Sequence, residues 1–184
     1  MSNIDEQTLA DMLNAPATRQ KAFRILVDQY GEKLYWHIRH IVLVHDDAND
    51  VLQNVFLKTW NALDNFRHDC KLSTWLYRIA INESLDFMRK KQHANSTFCS
   101  ESDTPGVANM LMADEYFDGD DAQALLQETI ATLPEVQRKV FCMKYYDNMK
   151  YSEMSQVLGT SEGALKASYQ NKEKKITEFF KSRD

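Results

Sequence analysis

Apolar residues recur every three or four positions along most of this chain, which is the spacing of one face of an α-helix. The pattern predicts a helix over residues 20–44, with Gly31 as a potential break. It predicts a second helix that begins at Asp46-Asp47 and reaches Trp60, because acids there suit a helix cap and first turn. The N-terminal half is therefore expected to be a small helical bundle.

The polar interval FRHDCKLST separates these helices from a third, predicted over residues 73–92 with Ser73 or Thr74 as its cap. This helix is apolar around most of its circumference and ends in basic residues. One narrow polar line follows it, made of Arg78, Asn82, Asp86 and Arg89. Without the rest of the chain, this pattern is explained by a core helix with one solvated edge. Its basic last turn suits the helix dipole.

Residues 93–121 lose the helical period and contain Pro105-Gly106, so we expect a flexible linker there. The segment from His93 to Ala122 carries seven acidic and no basic residues, whereas the whole chain has a net charge of −5. The negative excess is thus confined to the linker, and the flanking segments keep enough cations to bind nucleic acid.

The C-terminal part predicts a helix over residues 122–133 and another that begins with Pro134, since proline is tolerated at a first helical position. That helix is expected to end at Tyr146, with Asp147-Asn148 turning the chain.

A helix-turn-helix needs a small residue in its first helix, a residue tolerant of positive φ at the turn, and an apolar residue that locks the second helix. Ser155, Gly159 and Leu165 have this spacing, and Ser161 is placed to cap the second helix. The alternative is an ordinary helical hairpin closed by a glycine.

Composition supports an all-α protein, since only 5 glycines and 3 prolines occur. A length of 184 residues allows one domain or two small ones. Three widely spaced cysteines, Cys70, Cys99 and Cys142, argue against a disulfide scaffold and for a reducing cytoplasm. No run of 18 apolar residues predicts a membrane span, and the acidic N-terminus lacks the layout of a signal peptide.

Residues that could bind a metal do not form a complete set of ligands. His37 and His40 lie three apart, and His68-Asp69-Cys70 form one short cluster, but each lacks a second group of ligands. We interpret them as incidental surface residues. We expect no metal, no cofactor and no catalytic residue.

Three stretches together resemble one protein family: DDANDVLQNVFLKTWNALDNF, STWLYRIAINESLDFMRKK and LPEVQRKVFCMKYYDNMKYSEMSQVLGTSEGALKASY. In this order they resemble bacterial RNA polymerase sigma factors of the extracytoplasmic-function (ECF) group. The resemblance implies a sigma region 2 helical bundle in residues 1–92, an acidic linker in 93–121, and a sigma region 4 helix-turn-helix in 122–184. It implies a non-catalytic protein that binds core polymerase and directs initiation at −10 and −35 promoter elements.

The resemblance also assigns surfaces in the first domain. The helix from Asp46 to Trp60 would bind the β′ coiled coil of the polymerase, while the β flap is expected as a second contact on the enzyme. The residues implied for polymerase binding are Asp50, Gln53, Asn54 and Lys58. The residues implied for the −10 element are Phe66, His68, Lys71, Ser73, Arg78, Asn82, Arg89 and Lys90, the first four around a flipped base and the others facing phosphates or base edges.

The second domain would place its last helix in the major groove of the −35 element. The residues implied for this contact are Ser161, Glu162, Lys166, Gln170, Asn171, Lys174 and Lys175. Members of the family usually carry more arginine in this helix, and Glu173 puts an acid near the DNA backbone. These departures concern the individual −35 contacts more than the fold.

Two alternatives stay open at this point. The chain could be a stand-alone helix-turn-helix regulator that binds a palindrome without polymerase. As a sigma factor, it could be held inactive either by an anti-sigma partner or by packing of its own two domains. The acidic linker is expected to pass through a basic channel of the polymerase that later carries RNA.

Overall fold

The computed structural model describes residues 4–66, 69–98, 111–112 and 121–181. All regular secondary structure in these ranges is helical, which confirms the predicted all-α class. Within the same ranges, no helix is both long and apolar enough to cross a bilayer.

Four helices form the N-terminal unit, and each contributes apolar side chains to one shared core. They are α1 (Glu6–Asn14), α2 (Arg19–Val42), α3 (His45–Ala62) and α4 (Leu72–Phe98). Helix α2 passes through Gly31 without interruption, so the predicted break there is wrong. Leu26 and Leu34, on either side of that glycine, are fully buried. Packing on both sides outweighs the roughly 1 kcal/mol that a glycine costs inside a helix.

The starts of α3 and α4 differ from the predicted caps. Helix α3 begins at His45 and has no side-chain cap, so Asp46 lies inside the first turn. Helix α4 begins at Leu72, and the backbone N–H of Trp75 donates to the carbonyl of Lys71 at 3.1 Å. Ser73 and Thr74 therefore both lie within the helix, and the predicted cap is wrong. The reason is tertiary, because Leu72 is buried in the core and holds this turn helical.

Helix α1 was not predicted, because its amphipathic pattern is short. Asp5 caps the helix by accepting from the backbone N–H groups of Gln7 and Thr8, both at 3.1 Å. Leu9 and Leu13 are fully buried against α2 and α4. The N-terminal segment is thus part of the bundle.

Four further helices form the C-terminal unit: α5 (Asp121–Ala131), α6 (Glu135–Tyr145), α7 (Tyr151–Leu158) and α8 (Glu162–Lys181). Pro134 is the N-cap of α6 and not its first residue. Asn148, in the turn before α7, has a positive φ of 46°. The predicted helices and the turn between α6 and α7 are present, with ends shifted by one or two residues.

Most of the predicted linker lies outside the described residues. Helix α4 extends past the predicted boundary at residue 92 as far as Phe98. Leu111 is buried against Leu43, at the end of α2, and Ala124 of α5. This part of the join therefore packs between the two units.

The two units pack against each other through α2, α4, α6 and α7. His37 is buried and its Nδ1 is hydrogen-bonded to a carboxylate oxygen of Asp147. The His40 ring stacks on that of Tyr146, with centroids 3.7 Å apart and planes at 6°. The interpretation of both histidines as incidental surface residues is wrong. Their three-residue spacing places them on one face of α2, and the C-terminal unit covers that face.

Candidate nucleic-acid interface

The turn between α7 and α8 has the geometry that the helix-turn-helix pattern predicts. Gly159 ends α7 in the left-handed region, with φ of 65°. Ser161 caps α8, since its Oγ accepts from the backbone N–H of Ala164 at 3.4 Å. Leu165 is buried and its backbone N–H donates to the carbonyl of Ser161 at 3.1 Å.

The outer face of α8 is exposed along most of its length. Leu165 and Ile176 lie on the inner side, and the Tyr169 ring stacks on that of Phe141 at 5.6 Å. These contacts orient the rest of the helix toward solvent. The predicted −35 residues with exposed side chains are Ser161, Glu162, Lys166, Gln170, Asn171 and Lys174. The side chain of Lys175 is outside the described part of the chain.

Helix α4 carries most of the polar residues predicted to contact the −10 element. Asn82, Arg89 and Lys90 are exposed. Arg78 is partly buried, and its guanidinium donates to the backbone carbonyl of Gln156 in α7. The predicted polar line is therefore present, with part of it in contact with the C-terminal unit.

Arg89 binds Glu135, at the start of α6, through two hydrogen bonds of 2.6 and 3.1 Å, a bidentate arrangement. It also contacts Asp86 on its own helix at 2.9 Å. The hydrogen bonds from Arg89 and then Lys139 lower the pKa of the Glu135 carboxyl, so Glu135 stays ionised. The same pairing raises the pKa of Arg89.

Lys71 makes the second ion pair of this kind, with Glu153 of α7 at 3.1 Å. This hydrogen bond and the negative charge of Glu153 raise the pKa of Lys71. Burial acts to raise the pKa of Glu153, but the hydrogen bonds from Lys71 and the backbone N–H of Lys150 outweigh it, and the net pKa is lowered. Both partners are therefore charged.

Phe66 and Ser73, two of the residues predicted to surround a flipped base, are held by contacts within the N-terminal unit. Phe66 is only 6% exposed and packs on Trp75, with ring centroids 4.9 Å apart. The backbone N–H of Ser73 donates to the carboxylate of Glu6 in α1. His68 lies outside the described residues. A base could enter here only after rearrangement of these contacts.

The outward face of α3 carries the predicted polymerase-binding residues. Asp50, Gln53 and Asn54 are exposed, as is Lys58, which forms an ion pair with Glu83 of α4. Leu57 lies on the same face, three residues after Asn54, and is 62% exposed. Sequence reasoning missed Leu57, because an apolar residue in an amphipathic helix is usually assigned to the core. An apolar side chain at the centre of a polar surface can anchor a protein partner.

The thiol of Cys142 is buried in the C-terminal unit. Burial raises the pKa of the Cys142 thiol to about 12, which keeps it protonated and unreactive. In the ranges the structure covers, no three or more histidine, cysteine or acidic side chains are grouped to hold a metal ion.

Comparison with known proteins assigns the chain to a family. Residues 26–94 match the family model for Sigma-70 region 2, and residues 123–173 match the model for Sigma-70, region 4. The ECF RNA polymerase sigma factor SigW of Bacillus subtilis is 30% identical over 154 residues, which cover 80% of this chain and 82% of SigW. The chain belongs to the ECF sigma factors. The ECF sigma-E factor of Escherichia coli is 28% identical over 161 residues, covering 80% of this chain and 81% of that protein.

Two solved structures share the fold of this chain. CnrH, solved in complex with the cytosolic domain of CnrY, superposes with a TM-score of 0.73 at 24% identity, covering 97% of this chain and 99% of CnrH. RpoE from Bartonella quintana, solved with the anti-sigma factor NepR, gives a TM-score of 0.66 at 21% identity, covering 88% of this chain and 98% of RpoE.

As an ECF sigma factor, this protein acts in promoter-directed initiation of transcription and has no catalysis of its own. The matched regions contain both halves of a sigma factor in the expected order. This order decides against a stand-alone helix-turn-helix regulator, which would need only the C-terminal half.

Proposed function

We propose that residues 1–92 bind core RNA polymerase and the −10 element, that residues 122–184 bind the −35 element, and that residues 93–121 connect them. The proposal rests on the exposed face of α8. This helix follows a glycine turn and a serine cap that are typical of proteins that read the major groove. We place the protein in the cytoplasm, where polymerase and promoter DNA are found.

On α8, Gln170 and Asn171 are suited to pair with adenine, Lys166 with guanine or a phosphate, and Glu162 with a cytosine amino group. Lys174 and Lys175 would contact phosphates, which adds affinity and salt dependence without sequence preference.

On the N-terminal unit, the cations of α4 would track the melted −10 strand. Arg78 and Arg89 have guanidinium planes that contact phosphates or stack on bases, and Asn82 and Lys90 lie along the same exposed side. Phe66, His68, Lys71 and Ser73 remain our candidates for the base pocket, in a rearranged state in which the Phe66 ring is released from Trp75.

Polymerase would bind the α3 face of Asp50, Gln53, Asn54 and Lys58, with Leu57 as its apolar centre. The partner is the β′ coiled coil, and the β flap is the expected contact of the C-terminal unit. RpoE of Bartonella quintana was solved with an anti-sigma factor. We propose that a protein of this class also binds this chain.

The test is reconstitution with bacterial core polymerase on a library of promoters that vary at both elements. Specific initiation at a shared pair of motifs supports the proposal, and its absence with every core enzyme overturns it. Leu57→Ser should weaken core binding about tenfold, because the central apolar contact of an interface carries much of its energy. Lys33→Ala, an exposed change on α2, is the matched control and should leave core binding unchanged.

A further inference from the structure

Three of the cations proposed for the −10 strand already hold acceptors from the C-terminal unit. Lys71 binds Glu153, Arg78 binds the backbone carbonyl of Gln156, and Arg89 binds Glu135. Two of these acceptors are carboxylates, which present the same kind of anionic oxygen as a DNA phosphate. A lysine or arginine held in this way is not available to a strand of DNA.

The contact that aligns the two units lies beside these pairs and is buried. His37 is 1% exposed and is hydrogen-bonded to Asp147, while His40 stacks on Tyr146. A buried hydrogen bond of this kind requires one geometry, since any misalignment would leave polar groups unpaired. The ion pairs at the surface are therefore set by a specific interface.

The other two proposed surfaces are left open by the same packing. The polymerase face of α3, around Asn54 and Leu57, is exposed, and so is the −35 face of α8 around Lys166 and Gln170. The closed arrangement thus occupies cations of one proposed binding surface and leaves the other two surfaces open.

We propose that the C-terminal unit is an intramolecular competitor of the −10 strand, with Glu135 and Glu153 occupying phosphate positions on the face formed by α4 and the loop before it. This inference rests on the proposed function of that face. The free protein binds −35 duplex and polymerase but excludes −10 single strand, and separation of the two units on the polymerase exposes the cations. Separation replaces each carboxylate by a phosphate, so the charge of each cation stays paired throughout.

The first experiment compares the full-length protein with the double variant Glu135→Gln/Glu153→Gln. The probe is a fluorescein-labelled, A/T-rich single strand of twelve nucleotides, read by fluorescence anisotropy at fixed salt. The variant should bind about tenfold tighter than the wild type. Asp28→Asn/Glu32→Gln is the control, because it removes two exposed acids from α2 and changes net charge equally. Equal tightening in both variants overturns the proposal, since the effect would then be one of net charge.

A second variant, Asp147→Ala, removes the buried partner of His37 and should enlarge the radius of gyration in small-angle X-ray scattering. Binding of a −35 duplex, chosen from the promoter library, reports whether the C-terminal unit is still folded. A larger radius with −35 binding intact and tighter −10 binding supports competition. A larger radius without tighter −10 binding overturns it.

Failure of this inference is distinguishable from failure of the proposed function. Arg78→Ala, assayed with core polymerase, should reduce initiation whether or not the free protein is closed. If Arg78→Ala reduces initiation and the opening variants gain no affinity, the −10 role stands and the competition does not. If Arg78→Ala has no effect on initiation, the −10 assignment of this face is itself wrong.

Discussion

Gly159 fixes the turn of the helix-turn-helix through its backbone conformation alone. It adopts a φ of 65°, and a Cβ added there would meet no atom within 4 Å. Any cost of a side chain at this position must therefore arise from the left-handed conformation and not from a clash.

We predict that Gly159→Ala lowers the free energy of unfolding by about 1 kcal/mol. Gly163→Ala is the matched control, because Gly163 lies in α8 with open space around its Cβ position and no positive φ. That change should stabilise the protein by a few tenths of a kcal/mol to about 1 kcal/mol. Urea denaturation measures both, and equal effects of the two substitutions would contradict the role given to the turn.

His40 links the closed arrangement to pH. Burial lowers its pKa to about 4; Asp147 opposes this shift, while His37 and Arg39 add to it. An exposed histidine in separated units would keep a pKa near 6.5. Above about pH 7 both forms are neutral and His40 contributes nothing. As pH falls from about 6.5 to 4, only the open form takes up a proton. The stability of the closed form relative to the open form therefore falls by up to roughly 3 kcal/mol.

The measurement is the radius of gyration by small-angle X-ray scattering between pH 7.5 and 4.5. The wild type should expand as the pH falls. His40→Phe keeps a ring to stack on Tyr146 but cannot be protonated, so its expansion should be smaller. Superimposable pH profiles for the two proteins would contradict this account.

At the scale of elements, α1 contacts the start of α4. The Glu6 carboxylate accepts from the backbone N–H of Ser73 in the first turn of α4, where a negative charge also interacts well with the helix dipole. Lys71, in the loop before α4, puts a positive charge near this carboxylate. Helix α1 therefore stabilises the start of α4 in the closed state.

We expect Glu6→Ala to lower the free energy of unfolding by about 1 kcal/mol, since it leaves the first turn of α4 without its charged acceptor. Asp11→Ala, at an exposed position of the same helix where the side chain accepts a hydrogen bond from Gln7, should cost less than about 0.5 kcal/mol. Chemical denaturation separates the two predictions. A loss at Asp11 as large as that at Glu6 would show that the effect is one of helix propensity.

At the scale of the whole molecule, the charge is divided so that the linker is negative, while every lysine and arginine of the chain belongs to one of the two flanking segments. The seven acids between His93 and Ala122 suit a segment that occupies a basic channel of the polymerase. Growing RNA, also an anion, would then compete for the same channel.

Neutralising all seven acids to amides should change the ratio of abortive to full-length transcripts and the rate of promoter escape. A scrambled segment of the same composition is the control and should behave as the wild type, because the effect is one of net charge. Unchanged abortive synthesis in the neutralised protein would remove the linker from this role.

The sequence by itself determined the local features of this protein. Periodic apolar positions placed most helices, and Ser161, Gly159 and Leu165 fixed the helix-turn-helix, because caps, turns and amphipathic faces depend on residues close together in the chain. The order of the three matching stretches indicated the protein family. Helix α1 was missed, since its nine residues become helical through burial of Leu9 and Leu13 against distant helices.

Only the tertiary structure decided how the two units meet. No local pattern distinguishes a histidine that will pair with an aspartate 110 positions away from one that faces water. The same holds for Arg89, whose partner Glu135 belongs to another unit. Side-chain pairing across a domain interface depends on the relative placement of whole helices, and the spacing of residues along one helix contains no information about it.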